Sequence, residues 1–178
     1  PALADFDEDG MPEIVVGSRR SRSSALLHIL RADGSSYLGW NPDLGFYGVP
    51  RYAVADLDRY GTLEIIVAIA QQIFVYHVDG RIMPGWPKDF GNYADSLPAL
   101  GDIDGDGDLE IVIGRFDSTL HAFHHTGFPV HGWSVSVRNY MGNPVIGNVD
   151  NTGTSEIVIG DGNGYVHVFH ADGTVASG

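Results

Sequence analysis

A nine-residue acidic segment recurs four times along the chain. Its copies begin at residues 5, 56, 102 and 148, so they are spaced by 51, 46 and 46 residues. A fixed period in the forties marks a propeller or a solenoid, in which each repeat buries its apolar face against the next. The fullest copy is Asp102–Glu110 (DIDGDGDLE), with carboxylates at positions 1, 3, 5 and 9 and Gly107 at position 6. The others are Asp5–Glu13 (DFDEDGMPE), Asp56–Glu64 (DLDRYGTLE) and Asn148–Glu156 (NVDNTGTSE).

Four anions packed into one tight loop repel unless a cation sits among them. Hard oxygens in this number suit Ca²⁺, which takes six to eight oxygen ligands. The expected donors in the third copy are the side chains of Asp102, Asp104, Asp106 and Glu110 and the backbone carbonyl of Asp108. Gly107 supplies the positive φ that lets the loop curl back. A solvated Asp/Gly turn is the plainer reading of any single copy, and fourfold repetition weighs against it. An EF-hand does not fit. Its loop runs to a Glu at position 12 between helices, whereas this one closes at position 9 between expected strands.

Each repeat has the same parts. In the third, an apolar strand at 97–101 leads into the loop, a second strand at 110–114 leaves it, a third spans 119–125, and a Gly-Trp strand at about 130–135 ends the unit. The second strand is a continuous apolar run in every copy: Ile14–Val16, Ile65–Val67, Ile111–Ile113 and Ile157–Ile159. Such runs indicate strands buried on both faces, inside a stack of sheets. With 24 Gly, 8 Tyr and 8 Phe, turns and β-formers abound. The chain therefore reads as all-β, a single β-propeller segment over 1–178 with about four four-stranded blades at approximately 1–46, 47–93, 94–140 and 141–178.

The net charge of −13 argues against nucleic acid and anionic membranes as partners. With no cysteine there are no disulfides and no thiolate metal sites. No apolar run is long enough to span a bilayer, and no signal peptide opens the chain. Pro1 falls inside an expected strand, which implies that upstream sequence has been removed. The last repeat stops at Gly178 without its Gly-Trp strand, so its blade reads as incomplete.

Three other groups stand out. Trp40, Trp86 and Trp133 follow Gly39, Gly85 and Gly132 at the repeat period; they read as inter-blade packing or, on an exposed face, as platforms for sugar rings. His77, His124 and His170 lie three residues before the turn glycines, and His28, His121 and His167 three residues earlier still. They read as hydrogen-bonding residues of the third strand or as a ring binding a transition metal. The Arg-rich stretch Ser18–Ser24 lengthens one hairpin and reads as a solvated loop or a contact for an acidic partner. No GxSxG, HExxH or GxxxxGK[ST] element is present.

Four strand–loop–strand units with DxDxDGxxE loops, apolar-Gly segments at Ile14–Gly17, Ile111–Gly114 and Ile157–Gly160, and Asp-Gly turns resemble the FG-GAP/VCBS repeats of integrin α-subunit-like β-propellers. The resemblance covers essentially the whole chain. It implies Ca²⁺ in the loops at one rim, held by positions 1, 3, 5 and 9 and the carbonyl at 7. In loop one these are Asp5, Asp7, Asp9, Met11 and Glu13. Loop two keeps Asp56, Asp58 and Glu64 but has Tyr60 at position 5. Loop four keeps Asp150 and Glu156, with Asn148 and Thr152 as neutral donors, which implies weaker binding. Family propellers have six to eight blades, so the chain reads as part of a larger one, or as a unit whose open blade edges self-associate.

The function implied is a non-enzymatic, calcium-binding module of a secreted or cell-surface protein, mediating adhesion or recognition of a protein or glycan ligand. Two alternatives stand beside it. One is the propeller portion of a polysaccharide lyase, which would need an acid/base cluster not evident here. The other is a structural subunit that assembles through its incomplete blades.

Overall fold

The structure is a computed structural model describing residues 1–21, 24–39, 41–46, 48–139 and 142–176; Trp40, and Arg22 of the Arg-rich stretch, lie outside the described residues. Every regular element among them is a strand. Strands β1 (Ala2–Ala4), β2 (Glu13–Arg19) and β3 (Ala25–Leu30) form the first sheet, and β4 (Arg51–Ala55), β5 (Glu64–Ile69), β6 (Gln72–His77) and β7 (Lys88–Asp89) the second. The third holds β8 (Ala99–Gly101), β9 (Glu110–Gly114), β10 (Thr119–Phe123) and β11 (Val135–Ser136), and the fourth β12 (Val145–Gly147), β13 (Glu156–Gly160) and β14 (Val166–Phe169).

All four sheets are antiparallel meanders in chain order. The expectation of four strands in every blade holds for the second and third sheets. In the first, an isolated bridge between Leu26 and Asp43 stands where the fourth strand would run. A further correction concerns the Gly-Trp segments. At Gly85-Trp86 and Gly132-Trp133 the chain forms turns rather than strands, closed by Trp86 N–H to the Met83 carbonyl and Trp133 N–H to the Val130 carbonyl. The short outer strands β7 and β11 begin only after them.

The alternation of side chains along a strand explains the packing. In β5, Ile65, Val67 and Ile69 join Val15, Leu27 and Ile29 of the first sheet in one apolar layer, while Ile66 and Ala68 join Ile111 and Ile113 of the third sheet in another. In β9, Val112 turns the other way, into a layer with Leu120 and with Ile157 and Ile159 of the fourth sheet. Three apolar layers thus separate four sheets. β5 and β9 are buried at every residue, as expected for strands covered on both faces, whereas β2 and β13 are not. The first strands of successive sheets touch in sequence, β1 with β4, β4 with β8 and β8 with β12.

Trp86 and Trp133 close the seams between neighbouring sheets. Trp86 donates Nε1–H to the His125 carbonyl at 2.7 Å and lies edge-on to Phe123; Trp133 does the same to the Ala171 carbonyl at 2.6 Å and to Phe169. Both are buried, at 7% and 6% exposure. They hold sheets together and are not available to stack on sugars.

Candidate metal centres

In each sheet the acidic loop joins the first strand to the second. A meander returns its third-to-fourth connection to that same end, so each loop lies beside the end of the third strand. The four loops share one backbone path. Position 4 is left-handed in all of them (Glu8, φ 58°; Arg59, 55°; Gly105, 81°; Asn151, 63°), and so is the position-6 glycine, with Gly107 at 101°. Three of the position-4 residues are not glycine; Asn151 is of a type that tolerates this conformation, whereas Glu8 and Arg59 gave no sign of it in the sequence.

The position-9 glutamates have a role that the sequence did not reveal. Glu13, Glu64, Glu110 and Glu156 are all buried. Each directs Oε2 at the backbone N–H of position 2: Phe6 at 3.0 Å, Leu57 at 3.0 Å, Ile103 at 3.0 Å and Val149 at 2.9 Å. The glutamate is therefore a latch that closes the loop on itself before any ion is considered. The aspartates at position 1 brace the loop in the same way. Asp5 accepts from the N–H groups of Asp9 and Gly10, Asp56 from Gly61, and Asp102 from Gly105 and Gly107.

Ligand-capable atoms converge within 4.8 Å in five sets: Asp5–Asp7–Glu13, Asp56–Asp58–Glu64, Asp102–Asp104–Asp106, Asp104–Glu110–His124 and Asp150–Glu156–His170. The structure thus brings together most of the expected side-chain donors. Asp9 stands outside the first set, its Oδ1 accepting from Met11 N–H. Asp108 turns its carboxylate to His125 at 3.2 Å. Thr152 N–H donates to Asp150. The donor chemistry fits a hard cation best in loop three, where Asp104 belongs to two sets, one with Asp102 and Asp106 and one with Glu110 and His124. In loop two, Asp56 Oδ1 is buried with no hydrogen-bond partner, so an oxygen that could ligate is held in place despite the loss of the position-5 carboxylate to Tyr60.

The histidines do not form a ring; no set among the described residues contains two of them. Instead His77 and His124 direct Nδ1 at the second oxygen of the buried glutamate of their own sheet, Oε1 of Glu64 at 3.3 Å and of Glu110 at 3.2 Å. Antiparallel pairing of Glu64 with His77 across β5 and β6 places them there. That register was the available signal. Arg31 occupies the equivalent place in the first repeat and lies over the Tyr37 ring. His28, His121 and His167 lie nearer the opposite end of the sheets, on Ser18 and Asn41, on Arg115 and Thr119, and on Asp161 respectively. Burial and the Arg115 cation push the His121 imidazole below its usual range. In the Arg-rich stretch, Arg20 and Ser24 both engage Asp43 of the same repeat.

Burial pushes Glu64 and Glu110 above the ordinary glutamate value of 4.5, against the N–H bonds from Leu57 and Ile103, with Asp58 and Asp104 adding repulsion. A carboxyl raised on folding holds its proton in the native state after the unfolded chain has released it. Its stabilising contribution is complete below 4.5 and is lost as pH rises through the raised value. Burial also opposes ionisation of Asp117, but bonds from Thr119 and Asn92 and the Arg115 cation hold it down at about 2. Its contribution is present above 3.8 and disappears towards pH 2. Chelator-treated protein is therefore expected to gain stability from these two glutamates as pH falls from neutral towards 4.5, and to lose the Asp117 contribution below 3.8. Urea denaturation at a series of pH values checks this; a monotonic loss of stability from pH 7 downward would contradict it.

No protein-family model and no curated protein matches the chain. Solved structures do. BBS1N in its complex with ARL6DN is 19% identical with a TM-score of 0.65 and covers 98% of this chain and 48% of that one. These sheets are β-propeller blades. BamB from Moraxella catarrhalis is similar at 17% identity and TM-score 0.57, covering 90% of this chain and 48% of that one. The C-terminal domain of PilY1 from Pseudomonas aeruginosa is similar at 18% identity and TM-score 0.58, covering 90% and 39%. The chain spans about half the length, or less, of the solved structures it matches. At these identities the likeness is one of fold.

Proposed function

We propose that the chain is a calcium-stabilised, non-enzymatic β-propeller segment of the FG-GAP/VCBS type, which recognises a protein partner at the rim carrying its acidic loops. The observation that carries this reading is the common loop design: a buried glutamate latched to position 2 in all four copies, with at least one loop aspartate oxygen within 4.8 Å of it in each. Three anions held this close, as in loops one, two and three, favour a divalent cation among them. Ca²⁺ would be held by Asp5, Asp7 and Glu13 in loop one and by Asp102, Asp104, Asp106 and Glu110 in loop three, supplying the positive charge that lets these rigid loops face a partner. Loop two, with Asp56, Asp58 and Glu64, is the weaker oxygen site.

The partner reading rests on what stands among the acidic loops. Tyr60 takes the place of a ligand at position 5 of loop two and is 86% exposed, with Met11 of loop one also exposed. Tyrosine and methionine are both enriched in protein-binding patches. BBS1N, with the same fold, was solved in complex with ARL6DN. A module of this kind fits a secreted or cell-surface protein, where calcium is plentiful.

A larger propeller is supported by one register position. Position 2 of loops two and three, Leu57 and Ile103, is buried in the layer formed with the following sheet, whereas Val149 of loop four is 60% exposed, with Val145 and Val166 exposed on the same sheet. The fourth sheet is built to carry a further layer.

Calorimetric titration of chelator-treated protein with Ca²⁺ tests the metal reading. At least two sites are expected, with Asp5→Ala and Asp102→Ala each removing one. Absence of calcium heats, or stoichiometry unchanged in both variants, would refute it.

A further inference from the structure

Loop four differs in chemistry from the other three, and its difference is ordered. Asn148 and Thr152 replace two of the carboxylates, so hard anionic oxygen is scarce. Asp150, Glu156 and His170 nevertheless bring three ligand-capable atoms within 4.8 Å of one another. Glu156 is 1% exposed, and one of its oxygens is committed to Val149 N–H. The other, Oε1, is buried with no hydrogen-bond partner.

Every comparable oxygen in loops two and three is satisfied. Glu64 Oε1 receives His77 and the Thr62 hydroxyl, and Glu110 Oε1 receives His124. In loop four the residue matching Thr62 is Thr154, and it pairs with Thr152 instead. His170 Nδ1 stands 3.8 Å from Glu156 Oε1, beyond hydrogen-bond reach. A buried carboxylate oxygen left without a donor costs about 1–3 kcal/mol or more, and one aimed at an imidazole and a second carboxylate is placed for a cation.

We propose that Asp150, Glu156 and His170 form a site for a borderline divalent transition metal, of which Zn²⁺ is the type, separate from the oxygen-rich calcium loops. Imidazole with two carboxylates suits Zn²⁺ and its neighbours better than Ca²⁺, which prefers an all-oxygen set. The spacing fits. Tetrahedral ligands about 2.0–2.1 Å from zinc lie roughly 3.3–3.4 Å apart, so the 3.8 Å gap needs to close by only a few tenths of an ångström. The His170 side chain is 41% exposed, which leaves the remaining coordination positions open to water. Repeat one cannot make this site, because Arg31 stands where the histidine would be. In repeat three, Asp102 and Asp106 add oxygens that favour Ca²⁺. The inference does not depend on calcium occupying loops one and three.

The test uses the full 178-residue chain in millimolar Ca²⁺, titrated with Co²⁺ by visible absorption and with Zn²⁺ by calorimetry. One equivalent of Co²⁺ with d–d absorption, displaced by Zn²⁺, is expected. His170→Ala and Asp150→Asn should each raise the Zn²⁺ Kd by about a hundredfold or more, on the scale of losing a direct ligand rather than a supporting residue, while His124→Ala leaves it within about threefold. Both changed side chains are at the surface, so the fold is retained, as the melting curve in chelator will show. No Zn²⁺ binding in Ca²⁺, displacement of Zn²⁺ by Ca²⁺, or unchanged binding in His170→Ala would overturn the proposal. Ca²⁺ heats measured on the same variants without Zn²⁺ report separately on loops one and three.

Discussion

Saturating Ca²⁺ is expected to raise the melting temperature of chelator-treated protein by roughly 10–20 °C, and Glu110 is expected to reveal how. A ligand that binds only the folded state adds about 2.7 kcal/mol per site at a hundred times its Kd. Two sites give about 5 kcal/mol, and for a chain of this size each kcal/mol moves Tm by about 2–4 °C. Two substitutions then separate the two roles of the same side chain. Glu110→Gln keeps an amide oxygen that can accept the Ile103 N–H, now at 3.0 Å, and removes a buried anion. The metal-free melting temperature should therefore stay within a few degrees of the parent, while about half of the calcium-induced rise disappears. Glu110→Ala removes the acceptor as well. It leaves a buried N–H unpaired, at about 1–3 kcal/mol, and a cavity beside Ile103. Its metal-free form should melt about 5 °C or more below that of the parent. If Gln and Ala behave alike without metal, the latch contributes nothing. If Gln retains the full calcium rise, loop three is not a calcium site.

The repeat and its strands were legible because the physics behind them is local. The apolar run Ile111–Ile113 falls inside β9, which spans Glu110–Gly114 as expected. Gly107 takes the positive φ anticipated for it. What was not legible passes between elements or through the backbone. A carboxylate accepting from a main-chain N–H seven residues away leaves no mark on the sequence, so Glu13, Glu64, Glu110 and Glu156 read only as ligands. Their histidine neighbours were noticed as periodic but not as partners, since that requires the register of the hairpin that pairs Glu64 with His77. The Gly-Trp segments read as strands because aromatic residues favour strands. Their backbone is a turn because the indole must reach a carbonyl on the next sheet.

That reach makes the seam glycines the most sensitive positions outside the loops. Gly85 has φ +93°, and a Cβ there would lie 2.1 Å from the Thr126 carbonyl oxygen of the next sheet; at Gly132, φ +87°, it would lie 2.3 Å from that of Asp172. The obstructing atoms are main chain and cannot swing aside. The approach is mutual, since a Cβ on Gly127 would meet the Gly85 carbonyl at 2.9 Å and one on Gly173 the Gly132 carbonyl at 2.7 Å. Gly85→Ala thus combines a left-handed alanine, at about 1–2 kcal/mol, with an overpacked contact of about 1–3 kcal/mol, and Tm should fall by roughly 5–20 °C. Gly39 provides the control. It has the same hand, at φ +73°, but open space where its Cβ would go. Gly39→Ala should therefore lose only the conformational part, roughly 2–8 °C. If the two variants melt together, the close approach of the blades is not what holds the seam. If Gly85→Ala falls well below Gly39→Ala, the Trp86 contacts with His125 and Phe123 depend on two backbones meeting where only glycine fits.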